Sequence, residues 1–343
     1  MNQFGKNFKL TINGTSHSKE MSMTIDGISK LSIDIDLIKE RLLLRKGEST
    51  FSTSRRENDE FEIESNKNSI IIKVKNSDIH QTPNELLGIV RPGHADYVNY
   101  VKNNTIDFYD TMSSGRLTTL LVIVGTIFEI NLKELGIKSK SFIRQIGKIK
   151  DESILYNESF NQKDDFFNVI DKEKEILMKD EITKSKEIGD SLGGIVETYI
   201  KCPIVGLGEP FFDSFESMLS HLIFSIPGIN GIAFGEGFNS SLLEGSTYND
   251  IPKYIDGKVY FETNHAGGLN GGMTNGNIIN FKTSIRPTSS IYREQRTINV
   301  RTKQNDTIKI SSRNDTCFVP RALHVINACS YIVLYDLYLD LKK

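Results

Sequence analysis

The chain contains few cysteines and no long apolar segment. Its three cysteines, Cys202, Cys317 and Cys329, lie far apart in the 343-residue sequence and form no pair with metal-ligand spacing. They favour a reducing, cytoplasmic setting. Even the apolar stretch from Leu117 to Ile130 is shorter than the roughly 18 to 20 residues of a membrane helix, and it includes Glu129. We therefore expect no association with a membrane.

The sequence also lacks a strong charge of either sign. A net charge of -2, from 42 basic and 44 acidic residues, gives no overall attraction for nucleic acid or for an anionic ligand. Any phosphate must therefore be held by a local cluster of basic residues. The candidates are Arg41, Arg45, Lys46, Arg55, Arg56, Arg91, Arg116 and Arg313.

Two common sequence signals are missing. The N-terminal residues have no apolar core of the kind that signal peptides carry, so we expect no secretion signal there. No Gly-x-Gly-x-x-Gly fingerprint follows a predicted strand, so nothing predicts a nicotinamide site of the chain's own.

The first part of the chain mixes strand and helix patterns. It predicts a strand through Phe8, Leu10 and Ile12, a helix from Asp34 or Asp36 to about Arg45, a hairpin of 61–63 with 70–74, and a buried helix over 117–128. The polar stretch from Asp151 to Asp171 lacks periodicity and predicts a surface excursion or a domain junction. We therefore expect one domain over 1–343, with possible halves 1–150 and 172–343.

The second part continues this mixture. It predicts an exposed charged helix over 172–188 ended by Gly189, a helix capped by Asp213 and stopped before Pro227, and strands at 195–200, 229–234, 259–262 and 278–285. Because the strands and helices alternate without regular βαβ spacing, the pattern favours an α+β fold over a doubly wound sheet.

One segment sets a titratable imidazole among residues that shape a loop. Arg91-Pro92-Gly93-His94-Ala95-Asp96-Tyr97 places His94 between an arginine and an aspartate. A lone histidine is more often a surface residue or a hydrogen-bonded core residue than a catalytic one. Further segments give it weight, namely Gly14-Thr15-Ser16-His17, the glycine-rich 264–276, Arg286-Pro287-Thr288-Ser289-Ser290 and Arg313-Asn314-Asp315-Thr316-Cys317.

Taken in this order, these segments resemble the chorismate synthase family. The resemblance runs nearly end to end and includes Phe4-Gly5, Ser54-Arg55-Arg56-Glu57, Ile188-Gly189-Asp190-Ser191 and Val205-Gly206-Leu207-Gly208-Glu209-Pro210. It implies a β-α-β sandwich that assembles into homotetramers. It also implies the elimination of phosphate from 5-enolpyruvylshikimate 3-phosphate to give chorismate, with reduced flavin mononucleotide (FMN) that is not consumed overall. A reduced flavin can donate electron density transiently, which side chains cannot do.

The resemblance assigns roles to individual residues. His17 would protonate the departing phosphate, His94 would maintain the protonation state of the reduced flavin, and Asp315 would help to remove the substrate proton. The implied flavin contacts are Arg116, Thr118, Asn264, Gly271, Arg286, Pro287, Thr288, Ser289, Ser290 and Arg313. The implied substrate contacts are Arg45, Arg91 and Arg116. Glycine clusters are usually only turns, and a carboxylate beside an arginine is often a plain ion pair.

Several charged positions of the family are changed in this chain. Where the family has an arginine-rich run, this chain has Leu43-Leu44-Arg45-Lys46-Gly47, and Thr50 stands at a further arginine position of the family. A second arginine-bearing segment becomes 114–122, in which Arg116 remains and an arginine position near 120 is lost. Three or more anion-binding charges are thus missing. Lys46, Arg41 or Lys102 are possible replacements.

Three functions remain open on the sequence. The first is a divergent, working chorismate synthase. The second is a flavin-binding relative in which the elimination is lost or redirected, for example a flavin reductase. NADPH would be involved only if such a reductase activity exists, and only indirectly. The third is a catalytically silent subunit. The retained His17, His94 and Asp315 favour chemistry, and the lost arginines favour altered substrate handling.

Overall fold

A computed structural model describes residues 2–28, 30–47, 57–79, 82–154, 160, 162–310 and 315–342. Some residues of the sequence-based argument lie outside this part of the chain. They are Thr50, Ser54, Arg55, Arg56, Arg313 and Asn314.

The first layer is a five-stranded antiparallel sheet with the order β1-β2-β3-β5-β4. Its strands are β1 (Gln3–Phe4), β2 (Lys9–Asn13), β3 (Glu20–Asp26), β4 (Phe61–Ser65) and β5 (Ser69–Lys75). The predicted strand near Leu10 and the predicted hairpin are confirmed, since β4 pairs with β5 across the polar turn. Alternate residues such as Met21 and Met23 are buried on the inner face, as expected of a sheet covered on one side.

The second layer consists of helices. They are α1 (Ile35–Lys46), α3 (Thr118–Leu132), α5 (Phe215–Ile223) and α7 (Val319–Asp340). α1 begins where the Asp34 carboxylate accepts hydrogen bonds from the backbone N–H groups of Asp36 and Leu37, both at 3.0 Å, so Asp34 is the predicted cap. α3 confirms the predicted buried helix, and it packs along α7 in the centre of the molecule.

Two central helical segments, Gly115–Leu135, which contains α3, and Val319–Asp340, which is α7, are long and apolar enough to span a membrane by length and composition alone. In each of them 78% of the most apolar window is buried inside the protein, as in the core helices of a soluble protein. Their apolar character is therefore explained by packing against the two sheets and the other helices.

The third layer is a second five-stranded antiparallel sheet with the order β7-β6-β8-β14-β9. Its strands are β6 (Lys138–Ile146), β7 (Ile149–Lys150), β8 (Gly194–Lys201), β9 (Ile229–Phe234) and β14 (Ile279–Ile285). α7 packs on β6 and β8, and α3 contacts β3 of the first sheet, so the helices lie between the sheets. The predicted α+β fold, layered as a β-α-β sandwich, is confirmed.

The remaining elements lie outside these layers. They are α2 (Asp96–Asn103), α4 (Lys172–Glu187), α6 (Gly245–Tyr248) and the hairpins β10 (Pro252–Ile255) with β11 (Lys258–Phe261), β12 (Leu269–Asn270) with β13 (Met273–Thr274), and β15 (Glu294–Asn299) with β16 (Gln304–Lys309). α4 confirms the predicted charged helix.

Two sequence-based expectations need correction. Asp213 does not cap α5. Ser214 is the residue directly before the helix and accepts from the Ser217 N–H at 3.1 Å, whereas Asp213 pairs with Lys6 at 3.1 Å. The stretch 151–171 is not wholly a surface excursion, because Phe166 and Phe167 are buried in the main core. The second sheet combines strands from before and after this stretch, and the division into halves stays a prediction.

Candidate active site

A cavity of about 640 Å³ opens between the N-terminal ends of α3 and α7. Its walls come from loops that are far apart in the sequence, including 91–94, 109–116 and 286–290. Most of the predicted site residues lie in these walls. They are His17, Arg45, Arg91, His94, Arg116, Arg286, Pro287, Thr288, Ser289, Ser290 and Asp315.

The loop that carries His94 is closed by hydrogen bonds between Arg91 and Asp96. The Arg91 backbone N–H and Nε donate to Asp96 Oδ2 at 2.9 and 2.8 Å, and Arg91 Nη2 donates to Asp96 Oδ1 at 2.9 Å. Between them Gly93 has a φ of +72°, which favours glycine, and a Cβ there would lie 2.8 Å from Ser289 Oγ. The spacing of this segment therefore serves a tight loop that presents His94.

His94 faces the 286–290 segment. Its Nε2 lies 2.7 Å from Ser290 Oγ. Burial lowers the pKa of His94 to about 4; the positive charges of Arg91 and Arg286 lower it too, and Asp96 opposes them. The imidazole is therefore neutral at pH 7 in the ligand-free protein.

The 286–290 segment is fixed by hydrogen bonds to two other walls of the cavity. Arg286 Nη2 donates to the Gly93 carbonyl at 3.2 Å, and Arg286 Nη1 donates to Ser289 Oγ. Thr288 Oγ1 donates to the Asp315 carbonyl at 2.6 Å. No carboxylate of the described residues pairs with Arg286, so its charge is available to an anion at this end of the cavity.

The Asp315 carboxylate has an arginine partner that the sequence did not reveal. Asp315 Oδ2 accepts from Arg321 Nη1 at 2.8 Å, and both residues line the cavity. Arg321 lies in the first turn of α7, next to Pro320. A cation is disfavoured at a helix N-terminus, which carries partial positive charge. The position of Arg321 directly after a proline that starts a helix could therefore have predicted an anionic partner for it.

His17 is held by a third wall. Its backbone N–H donates to Asp110 Oδ1 at 2.9 Å, and the hydroxyl of Ser16 donates to the Tyr109 carbonyl at 3.0 Å. Sequence reasoning missed both Tyr109 and Asp110, because neither belongs to a segment with a recognisable pattern.

Arg45 is a buried cation whose hydrogen-bond partners are neutral. It is 2% exposed, and its Nη2 donates to the Gly115 carbonyl at 2.8 Å and to Thr118 Oγ1 at 3.1 Å. Burial lowers the pKa of Arg45 to about 9; the positive charges of Arg321 and Arg116 lower it further, and Asp59 and Asp315 oppose them. Among the residues that the structure describes, no carboxylate forms an ion pair with it.

Arg116 differs from Arg45 because carboxylates balance its charge. Its Nη1 forms an ion pair with Asp59, its Nε donates to Asn76 Oδ1 at 2.9 Å, and Glu57 lies 3.9 Å away. Asp59 and Glu57 are themselves buried.

The three proposed replacements for the lost arginines have different positions. Lys46 lines the cavity, and its Nζ donates to the Glu57 carbonyl at 2.5 Å. Arg41 pairs instead with Glu129 at 2.6 Å and Asp164 at 2.8 Å, beside a separate cavity of about 20 Å³. Lys102 does not belong to the walls of the larger cavity.

Three predicted residues lie outside the walls of the larger cavity, namely Thr118, Asn264 and Gly271. Thr118 supports Arg45 from behind, and Asn264 donates from Nδ2 to the Ile278 carbonyl at 2.7 Å. The glycines allow close packing within the chain, since a Cβ on Gly268 would lie 2.7 Å from that same carbonyl. Their contact with a flavin stays a prediction.

Comparison with known proteins gives one family. The family model described as chorismate synthase matches residues 8–339. A chorismate synthase of Phocaeicola vulgatus is 34% identical, with 98% of both chains covered. One of Dehalococcoides mccartyi is 35% identical, with 98% of this chain and 96% of that protein covered. A crystal structure of a chorismate synthase has a TM-score of 0.75 at 23% identity, covering 98% of this chain and 93% of that one, which shows a shared fold.

Proposed function

The chain belongs to the chorismate synthase family and is a phosphate-eliminating lyase, and we propose that the cavity between α3 and α7 is its active site. The reaction removes phosphate and a proton from 5-enolpyruvylshikimate 3-phosphate and gives chorismate, the last common step towards the aromatic amino acids. Similarity to chorismate synthases over the whole length favours this function over a flavin reductase or a silent subunit.

One observation carries the location of the site. His17, His94 and Asp315 line the same cavity as Arg45 and Arg286. An elimination of this kind needs proton donors, a proton acceptor and positive charge for the phosphate, and these side chains supply all three.

A reduced flavin is the cofactor implied by the family, and we propose that it is FMN. The cavity volume of about 640 Å³ falls within the range of roughly 300 to 1,000 Å³ common for small-molecule sites. Arg286 and the hydroxyls of Thr288, Ser289 and Ser290 would hold the flavin nucleotide, with Arg313 and the glycine-rich 264–276 as further predicted contacts. When bound, the flavin supplies electron density that is returned at the end of the reaction.

The protonation state of His94 depends on what the cavity holds. In the ligand-free protein burial and two arginines lower its pKa to about 4. An anionic ligand opposes the arginines and favours the protonated imidazole. We propose that His94 thereby supplies a proton on the flavin side, that His17 donates to the leaving phosphate, and that Asp315 accepts the substrate proton.

The substrate charges require cations that are not already balanced. We propose that Arg45 binds the substrate phosphate, because its described partners are neutral. Arg116 is a weaker candidate for a substrate contact, because Asp59 already balances its charge. We propose that Arg116 mainly holds the cavity wall in place.

An anaerobic assay tests this assignment. With chemically reduced FMN and 5-enolpyruvylshikimate 3-phosphate, we expect phosphate and chorismate to form in equal amounts. His94→Ala and His17→Ala each lower turnover by roughly 10² to 10⁴-fold, as expected for a lost acid or base. The matched control is His324→Gln, which removes a half-buried histidine outside this cavity and should leave turnover per folded molecule near that of the unmodified protein. Equal turnover of His94→Ala and His324→Gln would contradict the assignment.

We also propose a cytoplasmic homotetramer, on the strength of the family. The outlying hairpin of β10 and β11 supports assembly, because Tyr254 and Val259, which pair across it, are 80% and 53% exposed. A two-stranded hairpin with apolar side chains in water is marginal by itself. Analytical ultracentrifugation should report a tetramer, and Tyr254→Lys with Val259→Lys should shift it to smaller species. A monomer at micromolar concentration for the unmodified protein would contradict the proposal.

A further inference from the structure

The buried pair of Arg91 and Asp96 lies directly behind His94. Three hydrogen bonds of 2.8 to 2.9 Å join the two residues, and both are buried. The Arg91 guanidinium makes two further contacts with the protein. Its Nη2 donates to the Phe108 carbonyl at 2.5 Å, and its central carbon lies 4.2 Å from the centre of the Tyr109 ring.

These contacts tie the His94 loop to the cavity wall at 108–109. The loop is fixed on its other side by Ser289, whose hydroxyl donates to the Gly93 carbonyl at 2.9 Å, and by Arg286. The His94 backbone N–H donates to the Arg91 carbonyl at 3.2 Å, which closes the turn. The position of the imidazole therefore depends on where Asp96 holds Arg91.

We propose that Asp96, acting through Arg91, is a positioning residue that sets the place and orientation of the His94 imidazole. This inference rests on the proposed catalytic role of His94. It changes the predicted role of Arg91 from a substrate contact to a structural support, because three of its five N–H donors are directed at Asp96 and Phe108.

Arg91 and Asp96 also affect His94 through their charges. The charged groups that affect His94 are Arg91 and Asp96 of its own loop and Arg286 of the facing segment. Asp96 favours the protonated imidazole and Arg91 opposes it, so the pair partly cancels at His94. Removal of the carboxylate alone would leave Arg91 uncompensated and make protonation of His94 harder.

Asp96→Asn tests the proposal by steady-state kinetics in the anaerobic assay. The asparagine retains the size of the side chain but loses one acceptor for Arg91. A displaced catalytic group typically costs about 10² in rate. We therefore expect kcat to fall roughly 10 to 100-fold with KM for the phosphorylated substrate nearly unchanged. Arg91→Lys, which loses the bidentate geometry but keeps the charge, should show the same pattern.

Two further measurements separate positioning from a loss of stability. The matched control is Glu197→Gln, which removes the charge of the buried Glu197 from its ion pair with the half-buried Arg144, 2.9 Å from Nε and outside the cavity. It should lower the thermal midpoint without lowering kcat per folded molecule. The ¹⁵N spectrum of the His94 ring at pH 7 reports its tautomer and its hydrogen bond to Ser290. It should change in Asp96→Asn and Arg91→Lys and stay the same in Glu197→Gln.

The outcomes distinguish this inference from the proposed function. An increase of KM by tenfold or more with kcat preserved in Arg91→Lys would make Arg91 a substrate ligand and overturn the positioning role. So would an unchanged kcat in Asp96→Asn while His94→Ala is impaired. If His94→Ala itself retains full turnover, the catalytic role of His94 fails first. Asp96→Glu keeps the carboxylate and should recover part of the lost kcat.

Discussion

Arg45 and Arg116 line the same cavity but carry different amounts of available charge. Thr118 and a carbonyl surround the Arg45 guanidinium, whereas Asp59 and Glu57 surround that of Arg116. A buried cation without a counter-ion costs folding free energy, since it has lost its hydration. The same property makes it a strong binding group for an anion that enters the cavity.

Arg45→Met should therefore separate binding from stability. A charge-assisted hydrogen bond to phosphate contributes about 1.5 to 3 kcal/mol, so we expect KM for the phosphorylated substrate to rise roughly 10 to 150-fold. The free energy of unfolding of the ligand-free protein should stay the same or increase by about 1 to 2 kcal/mol, because methionine suits a buried site. Steady-state kinetics and urea denaturation measure the two effects.

Arg116→Met is the matched control for this prediction. It leaves the buried carboxylate of Asp59 without its ion pair, and breaking such a pair typically costs about 3 to 5 kcal/mol. We expect a large loss of stability in place of the gain. Similar stability changes in the two variants would show that the two guanidinium groups have equivalent surroundings.

The contact between α3 and α7 is close at Gly125. A Cβ built on Gly125 of α3 would lie 2.5 Å from both the Cβ and the carbonyl oxygen of Ala328 in α7. No side chain fits there, so glycine sets the distance between the two helices whose N-terminal ends border the cavity.

Gly125→Ala should destabilise the protein although alanine is the better helix former. Helix propensity favours alanine by roughly 1 kcal/mol, but overpacking against a backbone carbonyl typically costs 1 to 3 kcal/mol or more, about twice the gain. We expect a net loss of stability in urea denaturation and an altered cavity with weaker flavin binding. In contrast, Gly245→Ala in α6, where a Cβ meets nothing within 4 Å, should be neutral or stabilise the protein by up to about 1 kcal/mol. A more stable Gly125→Ala variant would disprove the close contact.

Two half-buried histidines affect the stability of the whole molecule. Burial is the first cause that lowers the pKa of both His94 and His324 to about 4. Unfolded histidine has a pKa of about 6.5. Between these values the unfolded chain binds protons that the folded protein does not, so folding stability falls as the pH falls through this window.

The pH dependence of unfolding tests this effect. Between about pH 6.5 and pH 4, each histidine should lower the free energy of unfolding by up to about 1.4 kcal/mol for each unit by which the pH falls. The Phe166 carbonyl lies 3.3 Å from His324 Nε2. The glutamine of His324→Gln can still donate to this carbonyl but does not titrate. Urea denaturation between pH 5 and 6.5 should show a slope roughly half that of the unmodified protein. An unchanged slope would mean that His324 is not buried as a neutral imidazole.

Several elements of the fold were predictable from local pattern, whereas their layering as a β-α-β sandwich was implied only by the resemblance to the family. Local signals located three of these elements. They are the alternation at Phe8 and Leu10, the cap at Asp34 and the apolar run of α3. Each signal depends only on residues within a few positions of one another. The cap of α5 was misplaced by one residue because Asp213 and Ser214 are both good caps, and the Lys6 partner that engages Asp213 comes from the other end of the chain.

The candidate site was only partly predictable. The segments around His94 and Ser290 were singled out because each is a continuous motif, and the structure brings the two side chains to 2.7 Å from each other. Arg321, Tyr109 and Asp110 were missed because each lies in a stretch without a motif. The glycine-rich 264–276 was interpreted through its spacing, and in the single chain it packs against its own strands.

The sequence by itself determined the family, the order of strands and helices, and the local frame of His94, because these depend on residues close together along the chain. The tertiary structure decided which positive charges are available. The counter-ions of Arg41, Arg116 and Arg321 are Glu129, Asp59 and Asp315, of which only the last is near its partner in sequence. An arginine is a ligand for substrate or a fixed part of the wall according to which carboxylate lies beside it. Only folding brings those carboxylates into place.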